Sequence, residues 1–345
     1  MAVEFVLNGK AVRVEGVDPH SSLLAWLRDS GYTGTKEGCA EGECGACAVA
    51  LVGRARDGQA RFEPVNSCLV PLCQAHGQEW VTVEGVAHAS ALHPVQRALV
   101  TLGGSQCGYC TPGFVMSLFC EYYRPGRTVP DPEAIAGNLC RCTGYRPIAD
   151  ALAGLDVEVP RDRFVLQLAT SDSRAQPLIY AAGEHQFVRP ETLAQLFGVL
   201  ADHPEALLVA GGTDVMVDVN QRYRRQRVLV SLDALVELKG ISSSADEWRL
   251  GAGSTLTELE RGLRAFEDAP QLLDQLWPLF SSRLIRNRAT LGGNLATASP
   301  IGDAAPVLLA LSASVRLVSS AGERSLPLDE FFVGYRQTQL LPGEV

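Results

Sequence analysis

Four cysteines, Cys39, Cys44, Cys47 and Cys68, follow a C-x4-C-x2-C spacing with a distant fourth member. Four thiolates so arranged ligate one [2Fe-2S] cluster. Gly38, Gly42 and Gly45 are interleaved with the first three. A loop wrapped around a cluster needs backbone amides close to sulfur and turns of positive φ, and glycine permits both. Structural zinc would use paired short spacings or a histidine pair, yet no histidine lies between Gly34 and Cys68. Disulfides belong to oxidising compartments, and the chain opens Met-Ala-Val-Glu-Phe-Val without a basic n-region or a long apolar run. Iron-sulfur chemistry is therefore favoured over zinc, and zinc over disulfides.

A second set follows. Cys107-Gly-Tyr-Cys110 and Cys140-Arg-Cys142 pair a C-x2-C with a C-x-C, again without histidine. Chemistry alone suits zinc or a second [2Fe-2S] cluster about equally. The neighbouring cluster site makes a two-centre electron relay the simpler account. Cys73 and Cys120 fall outside both sets and read as buried free thiols.

Two glycine loops supply a third kind of chemistry. Leu208, Val209, Ala210, Gly211, Gly212, Thr213, Asp214 and Val215 form one; Thr290, Leu291, Gly292, Gly293 and Asn294 form the other, followed by Ser299-Pro-Ile-Gly-Asp303. Each sets a glycine pair beside a small polar residue, so that amides and a hydroxyl can hold a diphosphate. Neither is a P-loop, since no Gly-Lys-Ser/Thr follows. Gly251-Ala-Gly253 has Leu256 where a dinucleotide fingerprint needs glycine, so a Rossmann fold is not expected.

The elements that must position these groups are partly legible. Residues 3–14 alternate around Asn8-Gly9 as strand, turn and strand. Ser21 or Ser22 caps a helix bearing Leu23, Leu24, Trp26 and Leu27. Strands are expected at 48–52, 65–69 and 80–83, completing a β-grasp, ferredoxin-like domain over residues 1–85. Helices opening at Pro94 and Pro112 place the second cysteine set on turns of an all-α domain, 86–155. Periodicity then fades around Pro160 and Ser171-Asp-Ser173, which reads as a linker over 156–178. A third, α+β domain occupies 179–345, with a helix from Leu193 and a short strand at 207–209. The fold class is thus α+β and multidomain.

The chain of 345 residues is 46% hydrophobic, ample for two or three packed cores. A net charge of -9 argues against nucleic acid as the main partner. The run Arg222, Arg224, Arg225 and Arg227 reads as solvated surface. No stretch has the length of a membrane span. A cytoplasmic location is expected.

The motifs Thr33-Gly-Thr-Lys-Glu-Gly-Cys39, Glu43-Cys-Gly-Ala-Cys47, Gln106-Cys-Gly-Tyr-Cys-Thr-Pro-Gly113 and Gly137-Asn-Leu-Cys-Arg-Cys-Thr-Gly-Tyr145 resemble the iron-sulfur part of the xanthine dehydrogenase and aldehyde oxidase family. Ala210-Gly-Gly-Thr-Asp214, the segment from Leu291 to Asp303 and Phe331-Phe-Val-Gly-Tyr-Arg-Gln-Thr338 resemble its flavin domain, of the PCMH type. The resemblance covers essentially the whole chain. It implies that the Cys39 set holds the cluster nearer the flavin and the Cys107 set the one nearer a molybdopterin, with Gln106 hydrogen-bonding the pterin. It implies further that Leu208 to Val215 wrap the FAD diphosphate, that Thr290 to Asn294 and Asp303 contact the rest, and that Phe280 stands against the flavin ring. As a core residue Phe280 reads almost equally well. The implied partner is a molybdenum-cofactor-binding large subunit in a dimer of heterodimers, with NAD+ as acceptor and no substrate-oxidising residue in this chain. The family's flavin domain continues into a small subdomain closing over the isoalloxazine ring, and this sequence stops at Val345 before it.

Overall fold

The computed structural model describes residues 1–54, 58–88, 91–156, 158 and 161–345. Strands β1 (Val3–Leu7) and β2 (Lys10–Val14) are joined by Asn8 and Gly9, with φ of 53° and 78°. Two consecutive left-handed residues match the twist of a tight hairpin. Helix α1 (Leu23–Asp29) starts at Ser22, whose hydroxyl accepts from the Ala25 amide at 3.1 Å. β3 (Ala48–Arg54), β4 (Ala60–Asn66) and β5 (Glu79–Val81) complete a sheet of order β2-β1-β5-β3-β4, in which only β1 and β5 run parallel.

This sheet is the middle layer of the molecule. Alternation along β3 sends Ala48, Ala50 and Val52 into one core and Val49 and Leu51 into another. The first core is shared with α2 (Val83–Val86), α3 (Pro94–Thr101), α4 (Thr111–Tyr122) and α5 (Arg146–Ala153). The second takes in α1 and, from far downstream, Leu178, Tyr180, Phe187, Val209 and Leu229. Apolar packing thus runs across the expected segments and fixes their relative positions.

Three local expectations need correction. The strand expected at 65–69 lies earlier: β4 pairs with β3 from Ala60 to Asn66, and Ser67–Leu69 is a 3-10 turn. Leaving the sheet there turns Cys68 inward, and Pro64 is tolerated because β4 is an edge strand. The strand expected at 80–83 is β5, which ends at Val81. Much of the expected linker is ordered, with helix α6 (Arg163–Thr170) capped by Asp162, which accepts from Phe164 and Val165 at 2.9 and 3.1 Å. Phe164 buries its ring against Phe62, Phe119 and Tyr123, and that burial holds the helix. Pro160, part of the linker reading, lies outside the described residues.

The third region opens with β6 (Leu178–Ala182), β7 (His185–Arg189), α7 (Leu193–Asp202), β8 (Leu207–Val209), α8 (Val215–Arg222) and β9 (Val228–Ser231), in a sheet of order β6-β7-β9-β8. β8 and β9 are parallel, joined across α8. Beyond them lie α9 (Leu256–Leu263), α10 (Gln271–Leu276), α11 (Arg283–Arg286), α12 (Leu291–Ala296) and α13 (Ala304–Ala310); α11 sends Leu284 into the first core, and the other four surround a third. Among the described residues no helix is long and apolar enough to cross a membrane.

Candidate cofactor sites

The loop between α1 and β3 presents Cys39, Cys44 and Cys47, and the 3-10 turn after β4 brings up Cys68. The thiols fall into two pairs within hydrogen-bond reach, Cys39 with Cys44 and Cys47 with Cys68. Two pairs suit a two-iron centre that takes two thiolates per iron. Hydrogen bonding from Cys44, aided by amides and opposed by burial, pulls the Cys39 thiol down to about 4. The amides concerned include Glu41 and Cys44, 3.5 and 3.4 Å from Sγ. Gly42 and Gly45 carry φ of 86° and 66°, so the loop needs glycine at both. Asn66 ties it to the sheet, its Nδ2 donating to the Gly42 carbonyl at 2.7 Å.

Cys107 and Cys110 lie on the turn entering α4, and Cys140 and Cys142 on the turn entering α5. Here too the thiols pair, Cys107 with Cys142 and Cys110 with Cys140. The Thr143 amide and hydroxyl approach Cys140 Sγ at 3.5 and 3.1 Å. Cys107, Cys142 and Gln106 are exposed, whereas Cys47 and Cys68 are buried. Cys73 and Cys120 are buried as expected, and burial pushes Cys73 up to about 12. A thiol so shifted is inert at neutral pH.

The two cysteine loops touch. The Leu139 amide donates to the Cys44 carbonyl at 2.9 Å. Asn138 Nδ2 donates to the Gly45 carbonyl at 3.0 Å, and Ser117 Oγ donates to Asn138 Oδ1 at 2.7 Å. Gly113, in the first turn of α4, has no room for a Cβ because the Gly45 carbonyl occupies that space. Sequence reasoning missed Asn138 and Ser117, because nothing in their spacing marks them as a bridge.

The first glycine loop runs from β8 into α8, with Leu208 and Val209 on the strand and Val215 opening the helix. A Cβ on Gly212 would meet the Leu69 carbonyl at 2.6 Å, one residue past Cys68. The loop's carbonyls are tied back: Ala210 O accepts from Gln74 Nε2 at 2.9 Å, Gly211 O from Arg288 Nε at 3.3 Å, and Gly212 O from the Met216 amide at 2.9 Å. Among the described residues, the amides of Gly211, Gly212, Thr213 and Asp214 have no protein acceptor. Unpaired amides at a helix start fit a diphosphate.

The second loop lies beside the first, since Gly211 packs directly on the Arg288 carbonyl. Thr290 caps α12 by accepting from the Gly293 amide at 3.1 Å, and the Gly292 amide donates to Ala252 O at 2.7 Å. Leu291 is buried. Asn294 Oδ1 is a buried acceptor without a partner among the described residues, beside a cavity of about 260 Å³ lined by Ser299, Gly302, Phe332 and Tyr335. Asp303 is exposed at the start of α13. Phe280 is buried in the third core near Trp277 and Leu291, its carbonyl held by Arg286 NH1 at 2.9 Å. The two glycine loops, the Asn294 cavity and Asp303 thus form one region abutting the first cysteine set.

Three family models match in succession. A 2Fe-2S iron-sulfur cluster binding domain matches residues 5–76, a [2Fe-2S] binding domain residues 82–153, and an FAD binding domain in molybdopterin dehydrogenase residues 183–345. The second match settles the choice between zinc and iron-sulfur at Cys107. Xanthine dehydrogenase of Emericella nidulans is 32% identical over 99% of this chain, and that of Drosophila subobscura 35% identical over 99%. Aldehyde oxidase 4 of Cavia porcellus is 35% identical over 99%. In all three the chain spans about 30% of the relative's length.

Proposed function

The chain belongs to the xanthine dehydrogenase and aldehyde oxidase family, as a part with two [2Fe-2S] domains and an FAD domain, and from that premise we propose that it is the electron-transfer subunit of a xanthine dehydrogenase. In this reading a separate molybdenum-cofactor subunit hydroxylates hypoxanthine or xanthine, and NAD+ is the final acceptor. The complex is a cytoplasmic dimer of heterodimers.

When bound, the clusters supply one-electron chemistry and the flavin couples it to two-electron hydride transfer. The chain itself supplies the order of the sites. Cys39, Cys44, Cys47 and Cys68 hold the inner cluster; Cys107, Cys110, Cys140 and Cys142 hold the outer one, with Gln106 toward the partner's pterin. The loops 208–215 and 290–294, with Asp303, hold FAD, and Phe280 faces the flavin. The observation that carries this reading is contiguity. One peptide hydrogen bond joins Leu139, beside Cys140, to Cys44, and Gly212 abuts Leu69, beside Cys68.

The deciding experiment is the visible spectrum of the chain co-purified with its molybdenum partner, before and after anaerobic xanthine. Bleaching of both flavin and iron-sulfur bands supports the proposal. If nothing bleaches with xanthine but an aldehyde works, the substrate is wrong. That second reading is favoured by the aldehyde oxidase relative, whose identity over the same share equals that of the nearest xanthine dehydrogenase named above.

A further inference from the structure

Behind the first glycine loop lies a buried group of charges that the proposed function does not use. Arg189, Arg288 and Gln74 are buried there, and Asp233 faces them. Arg189 takes both Asp233 oxygens, Nε to Oδ1 at 2.9 Å and NH2 to Oδ2 at 3.0 Å. The Ser231 hydroxyl also donates to Oδ1, at 2.6 Å. Among the described residues Arg288 donates only to neutral acceptors, the Gly211 carbonyl and the Gln74 side-chain oxygen. Asp233 is paired with Arg189, and Glu63, a second carboxylate whose charge acts on Arg288, is paired with Arg261 at 2.6 Å. A buried charge without a full counter-charge is costly unless something else neutralises it.

The geometry of the loop says where that counter-charge sits. In a trans peptide the carbonyl and the next amide point in opposite directions. Holding Gly211 O toward Arg288 therefore turns the Gly212 amide outward, and holding Ala210 O toward Gln74 does the same for the Gly211 amide. Gln74 belongs to the first region, six residues beyond Cys68, and its Nε2 also donates to Ser231 Oγ at 2.7 Å. One glutamine from the cluster side thus locks both the arginine and the loop.

We propose that Arg288, locked by Gln74, is the positioning residue of the loop: together they aim the amides of Gly212 and Gly211 at the diphosphate, and the diphosphate balances the buried charge of Arg288. The inference rests on the flavin reading. It adds that FAD uptake and docking of the inner cluster region depend on the same side chains.

The test uses the full chain with both clusters assembled, and FAD, riboflavin and inorganic pyrophosphate as probes. Flavin binding is followed by fluorescence and pyrophosphate by thermal shift. Arg288→Met leaves the Arg189–Asp233 pair balanced, so both cluster spectra should persist. FAD binding should weaken by about tenfold or more, the scale of one lost charge-assisted contact. Riboflavin binding, which has no phosphate to lose, should not change, and the pyrophosphate shift should vanish. Arg288→Lys, which keeps the charge, should recover part of the affinity. Gln74→Leu, which keeps every charge, should weaken FAD binding severalfold. Unchanged FAD affinity in Arg288→Met, or in Gln74→Leu should the former lose its clusters, overturns the proposal. A wild-type chain that takes pyrophosphate but no flavin overturns the flavin reading and leaves the loop assignment standing. Binding of neither probe overturns both.

Discussion

The amide of Leu139 meets the carbonyl of Cys44 at 2.9 Å, so the residue before Cys140 is hydrogen-bonded to a residue of the other cysteine set. Asn138 reinforces the junction by donating to Gly45 O. Asn138→Ala leaves the Gly45 carbonyl and the Ser117 hydroxyl buried without this partner, a loss of about 1–3 kcal/mol. Both clusters should still assemble, but electron exchange between them, read by stopped-flow reduction at low temperature, should slow. A variant as stable and as fast as the parent would show that the junction is incidental.

Gly45 is a second tight point of that junction, beside Gly113. Its φ is 66°, and a Cβ there would overlap the Gly137 carbonyl. Gly45→Ala should lose at least about 1–2 kcal/mol from the left-handed backbone alone, and more from the overlap. The thermal midpoint measures the loss. A midpoint within a degree of wild type would contradict the packing described.

Cys142 stands apart from the inner set, exposed and paired with Cys107. Cys142→Ser should remove the outer cluster's paramagnetic resonance signal and keep that of the inner cluster. Loss of both signals together with folding would mean that the two sets assemble as one unit.

The sequence made the cysteine sets legible because metal ligation leaves rigid spacing behind it. It made the Asn8-Gly9 hairpin and the helix after Ser22 legible because turn and cap chemistry are local. It did not reveal α6, whose stability comes from Phe164 packing on Phe62 and Phe119, residues far away in the chain. Nor did it reveal Gln74, Arg189, Asp233 and Arg288, which converge from four separate segments. The strand expected at 65–69 lies earlier because pairing with β3 ends at Asn66, where the chain turns into Ser67–Leu69, a change set by tertiary pairing rather than by local sequence.

A charged clamp joins the α4 region to α11. Arg283 meets Asp131 at 2.6 Å, Glu133 at 3.4 Å and Glu121 at 3.8 Å, and Glu121 is almost fully buried. Removing one partner of a buried pair strands the other, at about 3–5 kcal/mol. Arg283→Ala should fall toward the lower end, because Arg124 still holds Glu121 and Arg286 still holds Glu133. Denaturant unfolding measures it, and a change below about 1 kcal/mol would place the pairs with ordinary surface bridges.

His93 sets a pH limit on stability. Its Nδ1 accepts from the Val95 amide at 3.3 Å, so the proton sits on Nε2, which donates to Tyr123 OH at 2.8 Å, and Tyr123 in turn donates to Asp162. Protonating Nδ1 would set a donor against a donor. Burial, opposed by Asp162, pulls the histidine down to about 4 from an ordinary 6.5. The unfolded chain therefore binds the extra proton first. Stability contributed by the neutral ring is full above the ordinary value and is lost as pH falls from about 6.5 toward 4. Between pH 7 and 5 the loss should be roughly 1–2 kcal/mol from this group. His93→Asn keeps a helix-capping side chain and removes the titration, so its unfolding free energy should fall less steeply across that interval. His20 and His76, also pulled down by burial, keep the residual slope above zero. Equal slopes in the two proteins would mean that His93 takes up its proton without disturbing the Val95 contact.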